Sequence, residues 1–179
     1  MAGGKSSRMK QDKALLPFGK YNSLAEYQYR RLSSYFDKIY ISTKSNKFDF
    51  DIDIIEDNYN NSSPLVALVS IFDSLKEEEV FILSVDVPFI TTQTIEKLYK
   101  EAKEENHIIV AESNNGLEPL CGIYRRAILN TARKFLKEDN HRLQSLLNSV
   151  NTQKVKINSN EFTNLNHPFE YEEAKRQLI

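Results

Sequence analysis

The sequence predicts an α/β protein, a mainly parallel sheet with helices on both faces. Short β-rich runs alternate with segments of helical spacing along the chain, the order expected of parallel strands joined by helical crossovers. One run, residues 80–85 (VFILSV), is apolar without alternation, as expected of a strand covered on both faces. The polar residues able to carry chemistry fall just after the strand runs, and open α/β sheets bind ligands at the carboxyl ends of their strands.

Each element has its own reason. Residues 24–36 read as a helix because Leu24, Tyr27, Leu32 and Phe36 share one broad face. Residues 38–42 (KIYIS) and 52–56 (IDIIE) are short β-rich runs. Residues 65–75 are apolar at helical spacing and follow Ser62-Ser63-Pro64, a helix-start signal. Residues 91–105 form a helix with Thr91 or Thr92 as its cap. Strands follow at 107–112 and 120–124, helices at 127–138 and 142–148, a late strand at 154–157 and a closing helix at 171–178. A glycine pair such as Gly3-Gly4 normally follows a strand that aims it. A first strand is therefore expected ahead of residue 1, because central strands would otherwise lie unpaired. There is no repeat, linker or low-complexity tract, and Glu77-Glu78-Glu79 and Lys103-Glu104-Glu105 read as solvated surface. Residues 1–179 are expected to form one domain.

Composition excludes several classes. The chain carries 24 Lys and Arg against 25 Asp and Glu, a net charge of −1. That excludes a general basic coat for nucleic acid but leaves room for a local anion pocket. One cysteine, Cys121, excludes an intramolecular disulfide and favours a reducing, cytoplasmic setting. No apolar run approaches the roughly 20 residues of a membrane span, and the polar start shows no signal peptide.

The strongest motif is Ala2-Gly3-Gly4-Lys5-Ser6-Ser7-Arg8-Met9-Lys10-Gln11-Asp12-Lys13. Paired glycines let backbone N–H groups approach a phosphate or base, and Lys5, Arg8 and Lys13 supply the neutralising charge a polyphosphate needs. Gly4-Lys5-Ser6 mimics the end of a P-loop, but the Arg8…Asp12-Lys13 continuation does not. The second motif is Ser84-Val85-Asp86-Val87-Pro88, which puts a carboxylate at the tip of the apolar strand. Mg²⁺ takes one or two carboxylates together with phosphate oxygens, so Asp86 is the candidate metal ligand. The third is Asn164-Leu165-Asn166-His167-Pro168, whose two asparagines would point the same way from an extended segment. Asp57 ends the 52–56 run and is placed to reach the same edge. Cys121 reads as core. The three histidines lack metal-ligand spacing, and Ser6 and Ser7 lack the elbow of a hydrolase nucleophile.

These residues resemble a known family. AGGKSSRMKQDK is similar to the signature L-A-G-G-x-S-x-R-M-G-x-D-K of the molybdenum cofactor guanylyltransferases. The likeness continues in order through IIED (54–57), SPLVAL (63–68), SVDVPF (84–89), EPLCGIYRR (118–126) and NLNHP (164–168), spanning nearly the whole chain. It implies a Rossmann-like nucleotidyltransferase fold and transfer of GMP from GTP to the phosphate of molybdopterin, with Mg²⁺ and release of pyrophosphate. By position it implies that Met1, Ala2, Gly3 and Gly4 lie against GTP, Lys13 contacts the phosphates and Asp57 contacts guanine or ribose. Asp86 would bind Mg²⁺, with Asn164 and Asn166 near the phosphates or metal. Ser42 falls where some members carry an asparagine. Other cofactor-biosynthesis proteins or molybdoenzyme chaperones are possible partners. The departures are Lys10 for a glycine, Ser63-Pro64-Leu65-Val66-Ala67 for G-P-L-A-G, and His167 for a threonine.

The chemistry read from the residues agrees. A phosphate oxygen is already anionic at neutral pH, so the reaction needs no general base. The barrier is electrostatic, and Lys13 and a metal on Asp86 would lower it while Arg8 holds the pyrophosphate. The alternatives are another nucleotidyltransferase, of cytidylyl or sugar-phosphate type, or a degenerate nucleotide-binding module.

Overall fold

The computed structural model describes residues 1–3, 11–59, 62–157 and 160–178. A 3-10 turn, Lys13–Leu15, is followed by α1 (Leu24–Leu32), β1 (Tyr40–Thr43), β2 (Asp53–Glu56), α2 (Pro64–Ser74), β3 (Glu79–Leu83) and α3 (Thr92–Glu101). Then come β4 (Ile108–Ser113), β5 (Gly116–Arg125), α4 (Leu129–Lys137), α5 (Leu143–Ser149), β6 (Thr152–Lys156) and α6 (Pro168–Arg176). Side chains start three of these helices. Ser23 Oγ accepts from the Glu26 N–H at 3.1 Å, Ser63 Oγ from Val66 at 3.1 Å and Thr91 Oγ1 from Thr94 at 3.2 Å. Each satisfies an amide that the first helical turn leaves without a partner.

β1 pairs with β2 in parallel, and a four-stranded sheet runs β3-β5-β4-β6. Met1 and Ala2 join the two. The Met1 amino group donates to Leu83 O at 2.7 Å, the Val85 N–H to Met1 O at 3.0 Å and the Ala2 N–H to Ser42 O at 2.8 Å. These are parallel-ladder bonds. Every strand except β5 therefore shares one direction, and the mainly parallel expectation holds. β5 runs antiparallel to both β3 and β4. It leaves β4 through the two-residue loop Asn114-Asn115, with Gly116 at φ +118°, a backbone conformation that glycine adopts without strain.

Alternation along β4 sends Ile108 and Val110 into one core and Ile109 and Ala111 into another. The first core contains Leu65, Leu68 and Phe72 of α2, Ala132 of α4 and Leu146 of α5. The second contains Leu32 of α1 and Ile95 and Leu98 of α3. Helices therefore cover both faces. A third cluster packs α6, through Tyr171 and Ala174, against Phe18 and Leu24. No helix among the described residues is long and apolar enough to cross a membrane.

β3 departs from the prediction. Of its residues only Ile82 is fully buried. Its other residues line a cavity of about 260 Å³ together with Met1, Phe36, Tyr40 and Leu75.

Candidate active site

The site sits at the carboxyl edge of the sheet, and backbone contacts from several elements position it. After β3 the chain is held by Ser84 N–H donating to Leu120 O at 2.8 Å, and by the Gln28 amide of α1 donating to Val87 O at 3.1 Å. Asp86 thus stands on a fixed segment. Its Oδ1 accepts from Ser84 Oγ at 2.5 Å and its Oδ2 from Lys13 Nζ at 2.7 Å. The same ammonium donates to Asn166 Oδ1 at 3.0 Å. Lys13 reaches this point because Asp12 starts the 3-10 turn, its Oδ1 accepting from the Ala14 N–H at 3.0 Å.

Lys13, Asp86 and Asn166, which are 73 and 153 positions from Lys13 along the chain, therefore meet around one positive charge. Asn164 enters the same segment differently from the extended geometry expected. The Asn166 N–H turns back to Asn164 O at 3.0 Å, while the Leu165 N–H donates to Asp86 O at 3.0 Å. Buried Leu165 anchors this turn, so the two asparagines do not stand in extended register.

Met1 and Ala2 lie in the ladder beside Asp86, with Gly3 next in the chain. Gly4 and Arg8, and with them Lys5, Lys10 and the serines between, lie outside the described residues. Asp57 follows β2, its N–H donating to Thr43 O at 3.0 Å. Its Oδ1 is buried without a hydrogen-bond partner among the described residues, as is Ser42 Oγ at the end of β1. Burial pushes the Asp57 carboxyl above its ordinary range, and Lys44 partly offsets this. Two orphaned oxygens at one edge are places for a ligand's donors.

Three contributors were not foreseen. Ser84 lies two residues before Asp86, and the S-x-D spacing at a strand end was the available clue. Lys47 donates to Ala2 O at 3.1 Å and pairs with Asp12 Oδ2, tying together chain segments on either side of residues 4–10. No local pattern announces a pair 35 positions apart. Glu170 accepts from the N–H groups of Asn166 and His167, each at 2.7 Å. Cys121 is buried, and burial pushes its thiol up to about 12, with Glu118 and Glu161 adding to the effect, so it is core as expected. Ser63, His141 and Asp139 form a hydrogen-bonded row, at 3.2 and 3.0 Å, that links the start of α2 to the turn between α4 and α5.

The oxygens of Asp86 and Asn166 suit a hard divalent cation, and they already converge on one cationic centre. Among the described residues there is no group of three or more His, Cys, Asp or Glu able to hold a metal. An ion here would take few protein ligands and complete its shell with water and phosphate, which is the habit of Mg²⁺.

A MobA-like NTP transferase domain model matches residues 1–155. A molybdenum cofactor guanylyltransferase of Campylobacter jejuni subsp. doylei is 35% identical over 181 residues, covering 99% of this chain and 94% of the relative. One from Helicobacter pylori is 31% identical over 185 residues, covering 99% and 90%. The fold is that of the molybdopterin-guanine dinucleotide biosynthesis protein A from Archaeoglobus fulgidus, with a TM-score of 0.82 at 16% identity, covering 98% and 95%.

Proposed function

Because the chain belongs to the MobA-like NTP transferase family, it is a nucleotidyltransferase, and we propose that it transfers GMP from GTP to the terminal phosphate of molybdopterin. The observation that carries the proposal is the meeting of Lys13, Asp86 and Asn166 at the edge where the Met1–Gly3 segment emerges.

The mechanism follows from charge. The attacking group is a phosphate oxygen and the target an α-phosphate, so both reactants are anionic. The Lys13 ammonium is held half-buried, with 15% of its side chain exposed, where it meets the Asp86 carboxylate. A triphosphate would draw it partly from that carboxylate and be neutralised as negative charge moves toward the leaving pyrophosphate. Ser84 keeps the Asp86 carboxylate in one orientation. Asp86 and Asn166 would hold Mg²⁺, which supplies charge neutralisation on the phosphate oxygens when bound. Buried Asp57 Oδ1, lacking a donor, would accept from the N1–H and 2-amino groups of guanine, a donor pair that adenine lacks. The nucleotide substrate and the buried free thiol of Cys121 agree with a cytoplasmic setting.

The test is transfer of label from α-labelled GTP to molybdopterin as Mg²⁺ is varied. Asp86→Asn keeps the shape and removes the charge, so it should cost activity by about two to three orders of magnitude and shift the metal curve, because metal stabilisation is worth several kcal/mol. An Asp86→Asn enzyme with the parent's metal curve and maximal rate would reject the role. Equal calorimetric affinity for GTP, ATP and CTP would reject guanine as the base.

A further inference from the structure

Beside the site stands an aromatic pair that the mechanism leaves unused. His167 and Phe169 flank Pro168 at the start of α6, and their rings stack with centroids 5.6 Å apart and planes 16° from parallel. Phe169 is 66% exposed, well beyond Leu15, Tyr59 and Tyr99, the next most exposed large apolar side chains at 40%, 39% and 37%.

An isolated exposed phenylalanine is ordinary, but this one is held in place. Glu170 ties the N–H groups of Asn166 and His167, and the Leu165 N–H is bonded to Asp86 O. Tyr171 and Ala174 root α6 in the core below. The ring pair therefore has a fixed position relative to Asp86, and it begins one residue after the asparagine that meets Lys13.

Its place in the site identifies the occupant. With guanine on the Asp57 side and the triphosphate at Lys13 and Asp86, the acceptor's phosphate must also reach Lys13 and Asp86. Its ring system then lies on the side the base leaves open, where α6 begins. We propose that His167 and Phe169 form a stacking platform for the pterin ring of the acceptor. The proposal rests on the guanylyl-transfer reading above. A pterin is a flat, polar heterocycle, and such rings pack offset on aromatic faces. His167 backs one side of the phenyl ring, so the platform has less rotamer freedom to lose than a lone exposed ring.

The experiment is steady-state transfer with molybdopterin as the varied substrate, alongside calorimetry with GTP. Phe169→Ala should raise the KM for molybdopterin about tenfold, as loss of a stacked ring does, with kcat and the Kd for GTP within about twofold of the parent. Phe169→Trp should keep the parent's KM, and Phe169→Leu, apolar but without a π face, should behave as Phe169→Ala does. A parent KM in active Phe169→Ala enzyme overturns the platform. So does a KM rescued equally well by leucine and tryptophan, or an effect confined to self-association by gel filtration. A parent enzyme that binds GTP but transfers nothing to molybdopterin overturns the reading of the acceptor, and the platform with it.

Discussion

Asp57 brings a single unmet oxygen into the site, and its chemistry follows from that. Burial raises its pKa, so ionising it in the free fold costs stability. The sign is then fixed: the free protein gains stability as pH falls through the interval between Asp57's raised value and the ordinary carboxylate value, where only the folded state holds the proton. Nucleotide binding runs the other way. Guanine donors need the ionised carboxylate, so GTP affinity should weaken as pH falls from neutral toward about pH 4, and Asp57→Asn should flatten that dependence. Calorimetry of both forms across this range checks it. An identical pH profile in the two proteins would remove Asp57 from the base site.

Among the elements, the close approach of β5 to β4 is the most exacting. A Cβ added to Gly122 would stand 2.5 Å from Ile109 O and 2.8 Å from Val110 Cγ1, and the first of these is backbone that cannot swing away. Gly122→Ala should destabilise by about 1–3 kcal/mol by forcing the strands apart. Urea unfolding would read this as a lower midpoint with an unchanged slope. The reason for this glycine is invisible in the sequence, because its neighbour across the sheet depends on a register shift in which β5 passes from Glu118 to Gly122 opposite the consecutive Ala111 and Val110. Periodicity did reveal the helices and most strands, since apolar spacing is a local property. It overran α1, which stops at Leu32 rather than Phe36. There the Ser33 and Ser34 hydroxyls bond back to Tyr29 O and Arg31 O and compete with the helical backbone. It also started α6 late, because Pro168 at the first helical position reads as a loop. The direction of β5 was missed although Asn115-Gly116 is a hairpin signal. The meeting of Lys13, Asp86 and Asn166 was legible as three separate motifs, each at a strand end or loop. Lys47 was not, because its role exists only once Ala2 and Asp12 are brought together.

At the scale of the whole molecule, Met1 bonds to Leu83 and Val85 on one side and Ala2 to Ser42 on the other, which joins the β1–β2 pair to the four-stranded sheet.

That join lies between two of the groups assigned to the nucleotide under the proposed function. Asp57 belongs to the β1–β2 pair, and Asp86 to the four-stranded sheet across the seam. A GTP bound as proposed would span both, so each end of the nucleotide would rest on a different set of strands. A substitution that shifts Ser42 or Leu83 against Met1 and Ala2 would then be felt at both ends of the nucleotide, although it touches neither.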